Sequence, residues 1–134
     1  MKKLYLIALC IVLVSFVSAN AGAQTPGVKS KPLLKTTLSD DPTKEVSMTL
    51  VEFPPGGTSG RHVHPGGDEY AVILQGSFEL SAEGRETRRL STGDVFHTPR
   101  GLVHENRNVG DTQGRVVITI VGDKGKPFTT RAVK

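Results

Sequence analysis

The sequence is poor in cysteine and shows no long helical periodicity. Its single cysteine, Cys10, lies within the apolar amino-terminal run. If that run is removed on export, the remaining chain cannot form a disulfide, so a small domain would depend on its apolar core, a bound metal or a partner subunit for stability. In place of helical patterns, the chain has short β-rich runs separated by Gly and Pro turns. These runs predict an all-β barrel or sandwich.

A strong excess of charge of one sign is also absent. The chain has 17 Lys and Arg residues against 13 Asp and Glu residues, and loss of Lys2 and Lys3 on export would narrow that difference. The basic cluster over 85–89 is interleaved with Glu83 and Glu86, which is typical of a solvated hairpin face. We therefore expect no nucleic-acid partner.

The first 23 residues have the three-part pattern of a secretory signal peptide. Two lysines precede an apolar run over 4–17, and small residues follow up to Ala23. We expect cleavage after Ala23, with Ala19 as a weaker alternative. An uncleaved anchor is the competing interpretation, although the run is short for the roughly 20 residues of a membrane span. Cleavage predicts a periplasmic or secreted protein that no longer contacts the membrane.

The rest of the chain has the length of one domain. Residues 24–32 are rich in Gly, Pro, Ser and Lys and are interpreted as a flexible leader. Residues 33–134 are interpreted as a single β-barrel domain. Strands are predicted over 33–38, 45–53, 77–82, 85–90, 95–98, 103–108 and 115–121.

The stretch over 61–76 has the pattern of a metal site. His62 and His64 are one residue apart, so on a strand both imidazoles project to the same face. Glu69 follows a Pro-Gly turn and begins an apolar strand, where an unpaired carboxylate would be costly to bury. With His104 further along, three imidazoles and one carboxylate form a ligand set suited to one divalent transition metal. Fe, Mn, Ni, Zn, Co and Cu are not distinguished by it.

The spacing of these residues resembles the two motifs of the cupin superfamily. The first motif is G-x5-H-x-H-x4-E-x6-G, and it is matched by Gly56, His62, His64, Glu69 and Gly76. The second is G-x5-P-x-G-x2-H-x3-N, and it is matched by Gly93, Pro99, Gly101, His104 and Asn108. Ten fixed positions in two blocks are far more specific than an isolated pair of histidines.

The resemblance implies a small single-domain cupin of type 2. Its fold would be a double-stranded β-helix, or jelly-roll barrel. The metal would lie inside, held by His62, His64, Glu69 and His104. In similar small cupins an amino-terminal strand pairs with a second subunit, so the resemblance also implies a homodimer. The reaction is not implied.

Side chains around the ligands are assigned by strand parity. Asn106 and Asn108 share the parity of His104, and Ala71 and Ile73 share that of Glu69, so these four are candidates to line the pocket.

Other polar residues near the motifs are assigned outside the ligand set. Parity directs Tyr70 and Arg61 outward, while spacing selects Glu69 over Asp68 as the ligand. Asp94 is interpreted as a turn former. For His97 two roles stay open, an acid/base or ligand-supporting role and a surface or packing role, because parity cannot decide which face of its strand is internal.

Two classes of function are compatible with the sequence. One is a metal-dependent dioxygenase, resembling the quercetinase-like group, that acts on a small oxygenated or aromatic compound. The other is a binding module that holds a sugar, an organic acid or the metal without turnover. Isomerase or lyase chemistry would need a separate general base, for which only His97 and Tyr70 are available. The fold alone does not decide between them.

Overall fold

The computed structural model describes residues 26–132. The predicted signal peptide, its cleavage site and the start of the leader lie outside the described residues. Between residues 26 and 132 the secondary structure consists of strands and turns, and no helix there is long and apolar enough to cross a membrane. The strands are β1 (Lys29–Thr37), β2 (Lys44–Phe53), β3 (His62–Val63), β4 (Gly67–Gln75), β5 (Ser77–Ala82), β6 (Arg88–Ser91), β7 (Val95–Thr98), β8 (His104–Asn108), β9 (Gly114–Asp123) and β10 (Thr130–Arg131).

The strands form two five-stranded antiparallel sheets. One sheet has the order β1-β2-β9-β4-β7 and the other has the order β10-β3-β8-β5-β6. Their inner faces pack around one apolar core that contains side chains of both sheets. Phe53 of β2 meets Phe78 of β5 edge to face, with ring centroids 5.3 Å apart. The predicted all-β jelly-roll architecture is confirmed.

Alternation along the central strands decides what is buried. In β4 the side chains of Glu69, Ala71 and Ile73 are buried, whereas Tyr70 and Leu74 are exposed. This is the period-2 pattern of a strand with one face toward the core. It delivers the Glu69 carboxylate to the interior, as its sequence parity predicts.

Two close backbone contacts fix the start of β4 against β9. A Cβ atom on Gly122 would lie 2.2 Å from the carbonyl oxygen of Gly66, and one on Gly67 would lie 2.5 Å from the carbonyl oxygen of Val121. Glycine is therefore required at 67 and 122 for the strands to approach. The resulting register places Glu69 opposite Ile120.

The structure differs from the sequence prediction at the strand boundaries. β1 begins at Lys29, not at 33, so part of the segment interpreted as a leader pairs with β2. The backbone of this edge strand pairs with β2 although its side chains show no alternating pattern that would predict a strand. Pro32 lies at a register shift in this pairing, where its missing N–H is tolerated. The strand predicted over 85–90 begins only at Arg88 because Arg85 closes a turn by donating to the Ala82 carbonyl. β10 was not predicted.

Candidate metal centre

Three histidines converge between β3 and β8. His62 and His104 are directly opposite each other in the antiparallel pair, so their side chains share one face. His64 lies two residues after His62 and projects the same way. All three are buried, and their ring centroids lie 4.2–5.0 Å apart.

Backbone carbonyls fix the orientation of each ring. The Nδ1 atom of His62 is 2.8 Å from the Gly60 carbonyl oxygen, that of His64 is 2.6 Å from Phe128, and that of His104 is 3.0 Å from Leu102. Because a carbonyl oxygen only accepts, each Nδ1 must carry the hydrogen and donate it. In the neutral ring this leaves Nε2 with its lone pair free to bind a metal.

The Glu69 carboxylate faces two of these lone pairs. Its Oε2 atom lies 3.3 Å from Nε2 of His64 and 2.8 Å from Nε2 of His104. These contacts join acceptors to acceptors, and all the atoms involved are buried without a hydrogen-bond partner. A cation bound among them removes this conflict, which would otherwise be costly. The ring nitrogens of His62, His64 and His104 lie within 4.8 Å of one another and could hold a metal ion.

Burial favours neutral imidazole at His62, whereas the ionised form of Glu69 depends on the neighbouring histidines. Desolvation, reinforced by the neighbouring His104, lowers the pKa of His62 to about 4. For Glu69, desolvation alone would raise the pKa, but hydrogen bonds from His104 and His64, which form when Nε2 carries a proton, outweigh it and hold the pKa below its usual range. Neutral imidazole and ionised carboxylate are the forms that bind metals.

A cavity of about 240 Å³ adjoins this cluster. It lies between the β1, β2 and β9 side of one sheet and the β3 and β10 side of the other. Apolar side chains form much of its wall, and four hydroxyl groups and one guanidinium add polarity. Its lining comprises Val28, Ser30, Thr49, Val51, Phe53, Ser59, His62, His64, Ile118, Ile120, Thr129 and Arg131.

The four side chains predicted to line the pocket do not belong to this cavity. Ala71 and Ile73 lie in the apolar core. Asn108 is a structural residue: its Nδ2 donates to the carbonyls of Phe53 and Thr112 at 3.1 and 2.8 Å. Asn106 is buried, and its Oδ1 has no hydrogen-bond partner. The prediction failed because parity identifies an inward face but not the position along the barrel.

The lining residues Thr129 and Arg131 were missed by sequence reasoning. They lie on or beside β10, which pairs with β3 from a position more than 60 residues away in sequence. A two-residue strand of polar side chains has no periodicity to detect.

His97 lies on the outer face of the barrel. Its neighbours Phe96 and Thr98 are buried, whereas the His97 side chain is 47% exposed. The ring stacks on Tyr70 with centroids 4.9 Å apart, and its Nε2 is 3.1 Å from Oδ2 of Asp68. The surface role is the one observed, and the outward direction predicted for Tyr70 is confirmed.

Three other polar residues, Asp94, Asp68 and Arg61, lie outside the buried cluster, as predicted. Asp94 accepts from the backbone N–H of Ser91 at 2.7 Å, as expected of a turn former. Asp68 accepts from the backbone N–H of Arg100 at 3.0 Å, so it does not belong to the buried cluster. The Arg61 guanidinium is 3.9 Å from the Glu83 carboxylate and partly exposed.

Comparison with known proteins agrees with this geometry. The family model described as "Cupin domain" matches residues 49–121, more than half of the chain. Germin-like protein 5-1 of Oryza sativa subsp. japonica is 40% identical over 76 residues, which cover 54% of this chain and 34% of that protein. The chain thus spans about a third of the length of that relative.

Solved structures share the fold. A protein of Klebsiella pneumoniae subsp. pneumoniae with a double-stranded β-helix domain superposes with a TM-score of 0.65 at 20% identity, covering 85% of this chain and 92% of the other. An oxalate oxidase in complex with the substrate analogue glycolate gives a TM-score of 0.60 at 26% identity, covering 84% and 56%. With the family match and the convergent histidines, these comparisons show that the chain belongs to the cupin family.

Proposed function

We propose that this protein is a metal-dependent cupin oxidoreductase, specifically a dioxygenase, acting on a small oxygenated molecule. His62, His64, Glu69 and His104 would hold one divalent transition metal. The observation that carries the proposal is the set of buried, unpartnered Nε2 lone pairs and carboxylate oxygens beside a cavity. A divalent cation satisfies such a set, and the cavity gives a ligand access to it.

The protein residues in this proposal bind and orient. A metal in this site would supply Lewis acidity and, if redox-active, electron transfer to dioxygen. The carbonyls of Gly60, Phe128 and Leu102 keep the three rings in the required tautomer. Hydroxyl groups such as those of Thr49 and Ser59 can hydrogen-bond an oxygenated ligand, while the apolar wall limits water.

The resemblance to oxalate oxidase supports the broader class, an oxygen-dependent oxidoreductase. That enzyme, whose structure holds glycolate, has the same fold at 26% identity. Since the cavity volume of about 240 Å³ lies below the range of roughly 300–1,000 Å³ typical for drug-sized ligands, the ligand should be similarly small.

The cavity offers little for metal-independent acid/base chemistry. Apart from Arg131, the titratable side chains that line it in the described part of the chain are the candidate ligands His62 and His64. Tyr70 and His97, the bases considered for isomerase or lyase chemistry, face outward. Without a redox-active metal, the same site would serve as a binding module for a small oxygenated ligand, which is the second candidate function.

Metal content is the first test. The expressed chain should contain close to one transition metal per molecule by elemental analysis, and the double variant His62→Ala/His64→Ala should contain almost none. His97→Ala is the matched control because it removes a histidine from the outer face, and it should retain the metal. Equal metal in the parent and the double variant would refute the site.

Oxygen consumption separates the two candidate functions. Metal-loaded protein would be mixed with oxalate or glycolate in an oxygen-electrode cell. Under ¹⁸O₂, a dioxygenase transfers labelled oxygen to the organic product, whereas an oxidase releases labelled hydrogen peroxide. Thermal stabilisation by a ligand without oxygen uptake would instead favour the binding module.

We also propose export and self-association. The pattern over residues 1–23 supports export, and amino-terminal sequencing of the protein recovered from the periplasm or medium should begin at Gln24. Leu33 and Leu34 are exposed on β1, the amino-terminal edge strand, and support a homodimer in which that strand pairs with a second subunit. Light scattering after gel filtration tests the dimer, and a monomer at micromolar concentration would refute it.

A further inference from the structure

One of the three buried histidines is oriented by a distant part of the chain. The Nδ1 atoms of His62 and His104 are held by carbonyls that lie two residues earlier in sequence. The Nδ1 atom of His64 is held instead by the Phe128 carbonyl, 64 residues away, at 2.6 Å. The orientation of His64 therefore depends on a tertiary contact that the other two rings do not need.

The Phe128 carbonyl lies in the segment that joins the two sheets near the carboxy terminus. Residues 124–131, here called the carboxy-terminal strap, run from the end of β9 in one sheet through β10 in the other. The strap packs against the turn that follows His64, because a Cβ atom on Gly66 would lie only 3.0 Å from the Pro127 carbonyl oxygen. This packing holds the strap beside the histidine cluster.

The Phe128 side chain is the part of the strap best placed to hold the carbonyl. It is half-buried, whereas the other side chains of the strap are exposed. The Lys35 ammonium lies 5.8 Å from the centre of the Phe128 ring, and it is also 3.3 Å from the buried Glu45 carboxylate. A cation over an aromatic ring is attractive, so the ring is held against the β1–β2 pair. Loss of the ring should let the Phe128 carbonyl move away from His64.

Two acceptors compete for the single ring hydrogen of neutral His64. The Phe128 carbonyl faces Nδ1, and the Glu69 carboxylate faces Nε2 with its Oε2 atom 3.3 Å away. While the carbonyl is in place the hydrogen stays on Nδ1, and the Nε2 lone pair is available to a metal. Without the carbonyl, the hydrogen would move to Nε2 and bond to Glu69, which would block that lone pair.

We propose that Phe128 is a positioning residue for the metal site, and that the packing of its ring keeps the hydrogen of His64 on Nδ1. This inference rests on the proposed function for its consequence, a higher metal affinity, whereas the tautomer is a property of the metal-free protein. His62 and His104 have local acceptors, do not depend on Phe128, and serve as internal references.

The test is ¹⁵N NMR of the histidine rings in metal-free protein at about pH 8, above the ordinary histidine pKa of roughly 6.5. In the parent protein the three buried rings should carry the hydrogen on Nδ1. Phe128→Ala should shift His64 toward the Nε2–H tautomer, while His62 and His104 keep theirs. Phe128→Tyr keeps the aromatic ring and should retain the parent tautomer. Zinc affinity, measured with a competing chelator, should fall about tenfold in Phe128→Ala, as expected when a ligand loses its outer partner.

Lys126→Ala is the matched control. It shortens an exposed side chain of the same strap. This variant should leave the His64 tautomer unchanged and the zinc affinity within about twofold of the parent, a change of less than the tenfold step expected for Phe128→Ala. Phe128→Leu is the milder change should Phe128→Ala not fold, and it should shift the His64 tautomer in the same direction.

The two measurements separate this inference from the proposed function. If no form of the chain binds zinc or another transition metal, but Phe128→Ala still moves the hydrogen of His64 alone, the metal assignment fails and the role of Phe128 stands. The role of Phe128 is refuted if His64 keeps its hydrogen on Nδ1 in both Phe128→Ala and Phe128→Leu, or if all three rings change together. A parent protein with the hydrogen of His64 on Nε2, or a shifted tautomer that leaves zinc affinity unchanged, also refutes it.

Discussion

The barrel contains histidines in two contrasting environments. The inner three are buried, each with Nδ1 held by a backbone carbonyl and two with Nε2 facing the carboxylate of Glu69. On the outer face, His97 is about half exposed, stacks on Tyr70 and pairs with Asp68. Both environments place a carboxylate within 3.3 Å of an imidazole nitrogen.

The difference lies in what else satisfies the polar atoms. Outside, water can complete the hydrogen bonds of His97 and Asp68, so the pair is an ordinary surface contact. Inside, Nε2 lone pairs face a buried carboxylate that has no hydrogen-bond partner, so a bound cation should stabilise the cluster. A His–carboxylate contact therefore indicates a metal site only where burial and tautomer leave the acceptors unsatisfied.

The largest expected effect is the difference in metal affinity between amide substitutions at two neighbouring carboxylates, Glu69 and Asp68. Glu69→Gln removes the charge from the buried cluster and should weaken metal binding by more than about 100-fold if the Glu69 carboxylate is the direct ligand proposed above, since loss of an orienting partner alone costs less. Asp68→Asn, one residue earlier on the outer face, should leave the affinity within about threefold, a change that corresponds to less than 1 kcal/mol. Competition with a fluorescent chelator measures both, and similar losses in the two variants would contradict the comparison.

Acid should destabilise the metal-free protein through the inner cluster. In the unfolded chain His62 takes up a proton below about pH 6.5, but in the folded protein its pKa is lowered to about 4. Between these values the unfolded state binds more protons, so the free energy of unfolding falls as pH falls, by up to about 3 kcal/mol. The lowered pKa of Glu69 acts in the same direction below about 4.5.

Urea denaturation in chelator at several pH values measures this dependence. His62→Gln should flatten the decline between pH 6.5 and 4, whereas His97→Gln should leave the slope of the parent protein. A parent protein whose stability does not change over this range would contradict the assignment.

The contrast between the two faces also explains what sequence could predict. The resemblance to the cupin motifs predicted that His62, His64, Glu69 and His104 would meet, whereas strand parity alone predicts only the face on which each side chain lies. It could not orient His97, since either face of a four-residue strand can be internal until its partners are known.

The structural features that sequence missed depend on pairing between distant segments. β10 pairs with β3 from more than 60 residues away along the chain, and neither its length nor its composition predicts a strand. Arg131 is therefore found only in the structure. The early start of β1 was missed for the same reason, since its first residues are held by backbone pairing with β2, which their side chains do not indicate.

A second comparison, between two buried asparagines, predicts a smaller effect. Asn108 donates to three carbonyls, and its Oδ1 accepts from Gly110 at 3.0 Å. Asn108→Ala should lower the free energy of unfolding by about 2 kcal/mol because buried backbone groups lose their partners. Asn106→Ala should cost less than about 1 kcal/mol, since the Oδ1 of Asn106 is already unpartnered. Chemical denaturation of both variants measures the difference, and equal losses would refute it.

The smallest effect is expected at the outer histidine. His97→Ala removes one exposed ion pair and one stacking contact, which together should contribute less than about 1 kcal/mol to stability. Because the ring contacts neither the buried cluster nor the cavity, metal content and ligand binding should remain those of the parent. Thermal unfolding and elemental analysis on the same sample test both statements. A variant that lost its metal while remaining folded would show that the outer face supports the metal site, and the contrast between the two environments would then fail.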